Sequence, residues 1–302
     1  MEHNIALLDA IPYLRAYSGQ IFVVKAGGEL LQDPRWRDAI ARDLATIHRL
    51  GIGVVFVHGG GPQLDEEAAR LGIKSEIVAG RRITTPALID AAIMCWRGRL
   101  SAAWVTALQA SGERGFGLAG YDGGLIRAER RPPVQVTTDA GDKVTVDYGL
   151  VGDVREVKTD ALRSLIALGV PVITPLAQGA AGEVLNVNAD TVAAEIAVAL
   201  KAAKLVVLTR AVGILADPAD PHSVLHWTDL VELAELEQKG MIRGGMRPKV
   251  AAIRRALLGG VPRVHVVDGR HSGSLLSEVF TTEGSGTLVV TEADEAPPEP
   301  LI

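Results

Sequence analysis

Two apolar runs, Ile21-Phe22-Val23-Val24 and Val54-Val55-Phe56-Val57, each lead straight into a glycine cluster. The first opens onto Lys25-Ala26-Gly27-Gly28 and the second onto His58-Gly59-Gly60-Gly61-Pro62. Between them, Asp33-Pro34 reads as a helix start, a capping carboxylate followed by proline at the first helical position. Trp36, Ile40, Leu44 and Ile47 then recur at helical spacing, and Gly51 closes the helix. Strand, helix, strand in this rhythm is a βαβ unit, which requires parallel strands and a right-handed crossover. The fold class is therefore α/β with a mainly parallel sheet. Glycines at the ends of such strands leave the backbone bare, so N–H groups can approach phosphate or carboxylate oxygens.

The remaining pattern continues the alternation. Strands are predicted at 172–174, 205–208, 264–267 and 288–290, with helices over 87–111, 158–168, 189–200 and 248–258. Alternating valines in 131–151 predict a hairpin turning near Asp139-Ala140-Gly141-Asp142. Residues 5–17 form an amphipathic segment through Leu7, Ile11 and Leu14, with Pro12 set to kink it. Such a helix packs either on its own domain or on another subunit. A chain of 302 residues accommodates two lobes. The expected division is an N-terminal helix over 1–20, an N-lobe over 21–178, a C-lobe over 179–290 and a disordered acidic, proline-rich tail over 291–302. One sheet running through both lobes would make that boundary soft.

Composition removes several function classes. Hydrophobic residues make up 48% of the chain and aromatics only 4%, as expected of buried parallel strands covered by helices. A formal charge of −5 gives no basic footprint for nucleic acid and no polybasic membrane patch. No uncharged run reaches the ~18 residues of a membrane span, and Met1-Glu2-His3-Asn4 does not begin a signal peptide. The single cysteine, Cys95, excludes an internal disulfide and reads as core filler. The seven histidines show no metal-ligand spacing. A soluble, cytoplasmic protein is expected.

Gly115-Phe116-Gly117-Leu118-Ala119-Gly120 matches G-x-G-x-x-G but follows a predicted helix, so it is not expected to hold a dinucleotide. Four other constellations carry more weight. Lys25 stands at a strand end beside Gly27 and Gly28, where a lysine meets phosphate as a point charge; alone, it also reads as a solvated lysine. Three consecutive glycines at 59–61 exceed what a plain turn needs. Asn186-Val187-Asn188-Ala189-Asp190 enters a helix, so Asp190 either caps it or reaches into a cleft to hold lysines. Gly244-Gly245-Met246-Arg247-Pro248-Lys249 opens another helix, where a cation opposes the helix dipole by ~0.3–1 kcal/mol. Two lysines, glycine turns and one organising carboxylate suit phosphoryl transfer, which needs positive charge and fixed geometry more than covalent help.

On these motifs the chain resembles the amino acid kinase family, on the branch that phosphorylates N-acetyl-L-glutamate. The resemblance runs from about residue 5 to 290 and includes Gly80-Arg81-Arg82-Ile83-Thr84, Val267-Asp268-Gly269-Arg270 and Phe280-Thr281-x-x-Gly284-x-Gly286-Thr287. It implies a three-layer αβα sandwich that uses ATP and Mg²⁺ to phosphorylate the side-chain carboxylate of the acceptor, a step of arginine biosynthesis. In its terms Lys25 and Lys249 stabilise the transition state and Asp190 positions both. Gly28, Gly60 and Gly61 supply N–H groups, while Arg82 and Asn186 hold the acceptor. Gly27, Thr209, Arg210, Gly213 and Gly245 fall to the phosphates and nucleotide. Glu278 and Gly284 would lie at an arginine site, the N-terminal helix resembles that of hexameric members, and a homodimer or hexamer is implied.

The chain departs from the family pattern in three places. Thr209-Arg210 replaces the usual Thr/Ser-Asp pair at the nucleotide strand, a two-unit charge change. Gly98-Arg99-Leu100-Ser101-Ala102 stands for Gly-Lys-x-Asn-Lys, and Gly120-Tyr121-Asp122-Gly123 for Gly-Lys-Asp-Gly. These leave two alternatives open: a sibling kinase for another acyl amino acid such as N-acetylaminoadipate, and a non-catalytic ligand-sensing homologue.

Overall fold

The computed structural model describes residues 7–137, 143–281 and 284–292. Helix α1 (Leu7–Tyr17) runs through Pro12 and leads to β1 (Ile21–Ala26). Helix α2 (Pro34–Arg49) starts where Asp33 accepts the Arg35 N–H at 2.9 Å, and β2 (Gly53–His58) follows. β1 and β2 pair in parallel from Ile21 opposite Gly53 to Ala26 opposite His58, completing the βαβ unit.

Six more strands extend the sheet: β3 (Gly115–Ala119), β4 (Val170–Thr174), β5 (Lys204–Thr209), β6 (Trp227–Asp229), β7 (Val264–Asp268) and β8 (Thr287–Val290). The spatial order is β6-β8-β7-β5-β1-β2-β4-β3. Every neighbouring pair is parallel except β7 with β8.

The period of two along a strand sends alternate side chains to opposite faces. Phe22, Val24 and Ala26 enter a core covered by α1, α2, α5 (Ser101–Ala110) and α10 (Ser274–Phe280). Val23, Val55 and Val57 enter the other, under α6 (Asp160–Ile166), α7 (Ala189–Leu200), α8 (Leu230–Gln238) and α9 (Met246–Leu258). The result is the three-layer αβα sandwich, with one continuous sheet through both halves. Ala10 is buried in the first core and the Tyr17 ring meets Phe22 edge-on at 5.2 Å, so α1 packs on its own chain.

Some features differ from the sequence reading. The G-x-G-x-x-G stretch forms an edge strand, β3, that was not predicted. A Cβ on Gly115 would lie 3.1 Å from Val105 Cα and one on Gly117 2.5 Å from Ser101 Oγ, so these glycines let α5 rest on the strand. A short 3₁₀ turn, Asp122–Gly124, follows in place of a helix, which removes the dinucleotide fingerprint. The helix predicted over 87–111 is one helical run, but α4 (Pro86–Ala92) and α5 are joined by a π-helix, Ile93–Leu100. The hairpin arms Val134–Thr137 and Lys143–Val146 pair antiparallel; the predicted turn lies outside the described residues, as does the tail from 293 onward. Residue 178 falls within a hairpin in which Leu176–Gln178 pairs with Val184–Asn186.

Candidate active site

The strand order reverses at β1, with β2 on one side and β5 on the other, and such a switch point opens a crevice at the carboxyl ends of the strands. Both glycine turns lie there. Gly27 N–H bonds Leu208 O at 3.3 Å and Gly59 N–H bonds Ala26 O at 2.7 Å, so these two donors are engaged in holding the turns to neighbouring strands. A Cβ on Gly28 would lie 2.8 Å from Gly60 Cα, and one on Gly59 3.0 Å from Gly28 N. The two turns touch backbone to backbone, which only glycine allows. Gln63 fastens them by donating from Nε2 to Gly28 O at 2.7 Å. Gly61 opens helix α3 (Gly61–Arg70), an N-terminus of the kind that suits an anion, where Pro62 has no N–H and the Leu64 N–H is bonded to Gly60 O at 3.0 Å.

Lys25 shares its strand face with Val23 and so points toward α7. Its Nζ stands 2.8 Å from Asp190 Oδ1, with both side chains almost fully buried. Asn188, not Asp190, caps α7, accepting the N–H groups of Asp190 (2.8 Å) and Thr191 (3.1 Å). Asp190 is thereby left to face Lys25. Burial pushes the Asp190 carboxyl up, but the charges of Lys25 and then Lys249 outweigh it and hold the group below its usual range. Lys249 does not touch Asp190: its Nζ bonds Gly245 O at 3.2 Å across the first turn of α9, and Gly244 takes a left-handed φ of 50° to open that turn. Asp190 thus lies between the fields of two lysines and is bonded to one.

Arg82 lies on the hairpin of Glu76–Val78 and Arg81–Ile83, forked onto Asp65 (Nη2 to Oδ2, 2.8 Å) with Ser75 beside it. Hydrogen bonding from Arg82 holds the Asp65 carboxyl below its usual range. Asn186 donates to Thr84 Oγ1 at 3.1 Å, joining it to the same hairpin. On the other side of β1, Thr209 ends β5 buried, and Arg210 is exposed with Nη1 3.5 Å from Gln32 Oε1. Gly213 closes its turn against β8, where a Cβ would meet Thr287 Oγ1 at 2.6 Å. Among the described residues no group of three or more His, Cys, Asp or Glu is placed to hold a metal ion.

A second polar cluster lies between α1, β5, β7 and α10. Glu278, buried, accepts from His265 Nδ1 (2.7 Å), Ser285 N (2.6 Å) and Gly286 N (2.8 Å). Gly284 sits against it with φ 62°, where a Cβ would lie 2.9 Å from Glu278 Oε2. Burial pushes the His265 imidazole down to about 4, so its Nε2 is a buried acceptor, unpaired among the described residues. Lys204, also buried, places Nζ 4.7 Å from the Tyr17 ring centroid, and burial pushes it down to about 7. Sequence reading missed Lys204 and His265. The signal was a lone polar residue at each of two strand positions, Ala203-Lys204-Leu205 and Val264-His265-Val266, where neighbours are apolar.

The Amino acid kinase family model matches residues 20–268. The chain is 47% identical to "Acetylglutamate kinase" of Myxococcus xanthus (strain DK1622) over 97% of this chain and 96% of that protein. Among solved structures it resembles N-acetylglutamate synthase from Neisseria gonorrhoeae complexed with coenzyme A and N-acetyl-glutamate, at TM-score 0.80 and 28% identity. That alignment covers 96% of this chain but 64% of the longer synthase. The same synthase complexed with coenzyme A and L-arginine aligns at TM-score 0.77 and 27% identity, over 96% and 66% of the two chains.

Proposed function

The chain belongs to the amino acid kinase family, and from that premise we propose how its crevice works as an acetylglutamate kinase. The observation that carries the reading is the buried Lys25–Asp190 pair at the switch point, in the field of Lys249. A side-chain carboxylate oxygen of N-acetyl-L-glutamate attacks the γ-phosphorus of ATP. The bond to the β,γ-bridging oxygen breaks, ADP leaves, and an acyl phosphate forms. The migrating PO₃ group gathers charge on its equatorial oxygens, which Lys25 on one side and Lys249 on the other neutralise. Asp190 fixes Lys25 by contact and biases Lys249 through its charge. The N–H groups of Gly28, Gly60 and Gly61 line the transfer path. Arg82 turns from Asp65 to the acceptor's α-carboxylate, with Asn186 beside it. Residues 21–178 serve mainly the acceptor and 179–290 the nucleotide, with Thr209, Arg210, Gly213 and Gly245 on the nucleotide side.

Among the described residues the donor set does not fit a protein-held ion, since Asp190 is committed to Lys25; Mg²⁺ would be held by the ATP phosphates and would supply charge neutralisation there. A coupled ADP-release assay tests the reading. Turnover dependent on N-acetyl-L-glutamate is expected, and a purified, folded enzyme silent with that acceptor would overturn it; N-acetylaminoadipate in the same panel reports a sibling specificity.

We further propose that the Glu278 cluster takes L-arginine. Glu278 and the orphan His265 Nε2 offer acceptors to a guanidinium, and Lys204 offers a cation to the α-carboxylate. Lys204→Met should abolish the rise in melting temperature that arginine gives the parent. Because burial depresses the lysine, the folded state resists its charge. That penalty is full below about 7 and eases as pH rises toward the ordinary value of 10.5. Lys204→Met should therefore stabilise the ligand-free protein most at pH 6 and least near pH 10, a difference that thermal melts at the two pH values would show.

A further inference from the structure

The π-helix Ile93–Leu100 lies against the glycine turn of β2, and π segments within helices are frequent at functional sites. It carries Trp96, buried, whose Nε1 donates to Gly60 O at 2.8 Å. Gly60 is seated beneath that ring: a Cβ there would lie 2.5 Å from Trp96 Nε1 and 2.7 Å from Leu100 Cδ1. At the preceding carbonyl, His58 Nδ1 lies 3.0 Å from Gly59 O, and His58 Nε2 lies 3.0 Å from Thr174 Oγ1. Burial pushes this imidazole down to about 4, leaving it neutral. A carbonyl can only accept, so Nδ1 carries the proton and Thr174 donates its hydroxyl hydrogen to Nε2.

A trans peptide is planar, so its N–H points opposite its C=O. Fixing Gly59 O therefore fixes the direction of the Gly60 N–H, and fixing Gly60 O fixes that of the Gly61 N–H. Leu64 N–H also bonds Gly60 O, at 3.0 Å, so the indole is a second anchor on that carbonyl and His58 the side-chain anchor on Gly59 O; glycine's backbone freedom makes such anchors matter. We propose that Trp96 and His58 are positioning residues that lock the two peptide planes of the glycine turn, aiming the Gly60 and Gly61 N–H groups at the transferring phosphoryl group and its acceptor. The inference rests on the kinase reading above. It adds to it a role for the π-helix, which brings the indole N–H to Gly60 and whose last residues, 98–100, overlap one of the segments that depart from the family pattern.

Trp96→Phe tests it, because the ring stays and only the N–H is lost. Trp104→Phe is the control: Trp104 is fully buried, but its Nε1 bonds no protein group among the described residues. Removing an oxyanion donor outright costs about 10²–10³-fold in turnover, and loosening one should cost about tenfold. Trp96→Phe is expected to lower kcat about tenfold with the KM for ATP within about twofold of the parent, while Trp104→Phe keeps its kcat. Thr174→Val, which frees the outer side of His58, should lower kcat in the same sense. Parent-like kcat in Trp96→Phe, equal losses in the two tryptophan variants, or a change confined to the ATP KM would each overturn the proposal. Ratios are taken on the carboxylate the parent turns over fastest. The acceptor assignment, decided by the parent alone, can then fail separately.

Discussion

Asp190→Ala is expected to remove turnover and to lower stability by about 3–5 kcal/mol, the usual cost of leaving a buried charge without its partner. Lys25 Nζ and Asp190 Oδ1 are 2.8 Å apart, with side-chain exposures of 4% and 7%. The double variant Lys25→Met/Asp190→Leu separates the two effects, since apolar groups in place of a buried ion pair are often neutral or stabilising. It should regain most of the urea midpoint while remaining inactive. The pair also sets an acid limit. The Asp190 carboxyl is held below its ordinary value of 3.8, so its contribution is full above that pH and is lost as pH falls through the folded-state value. An Asp190→Ala protein with the parent's urea midpoint would contradict the ion pair.

Lys249→Ala should cut kcat by about a thousandfold, the scale for losing one group that stabilises transition-state charge, with stability unchanged. Lys249 is only partly exposed, and among the described residues its ammonium bonds just the Gly245 carbonyl of its own first turn. A cation at a helix N-terminus is unfavourable by ~0.3–1 kcal/mol, which offsets the attraction to Asp190 lost with it, so its removal should leave the melting temperature near the parent's. Turnover within a few-fold of the parent would refute the role. Comparing the two variants distinguishes a lysine built into the core from one held at its rim.

Much of the fold was legible because its strands are buried on both faces and therefore read as apolar runs ended by glycine. β3 was not legible: its glycines, required for contact with α5, resemble a loop in sequence. The π-helix was hidden for a related reason, since its residues carry ordinary helical spacing. Within the site, the lysines and glycines stood out by their place at strand and helix ends. Trp96, Gln63 and Thr174 did not, because each hydrogen-bonds a partner distant in sequence, Gly60, Gly28 and His58 respectively. Arg82 was legible as a candidate, yet its fork onto Asp65 was not.

By itself the sequence determined the βαβ rhythm, the parallel sheet, the two glycine turns and the presence of Lys25, Asp190 and Lys249. Those are matters of periodicity and backbone freedom, which are local. The tertiary structure decided that Asn188 would cap α7 and leave Asp190 to Lys25, that Gly27 and Gly59 would give their N–H groups to neighbouring strands, and that Glu278, His265 and Lys204 would meet beneath α1. These depend on which strand ends become neighbours and on the low-dielectric burial that follows. A single chain segment carries neither kind of information.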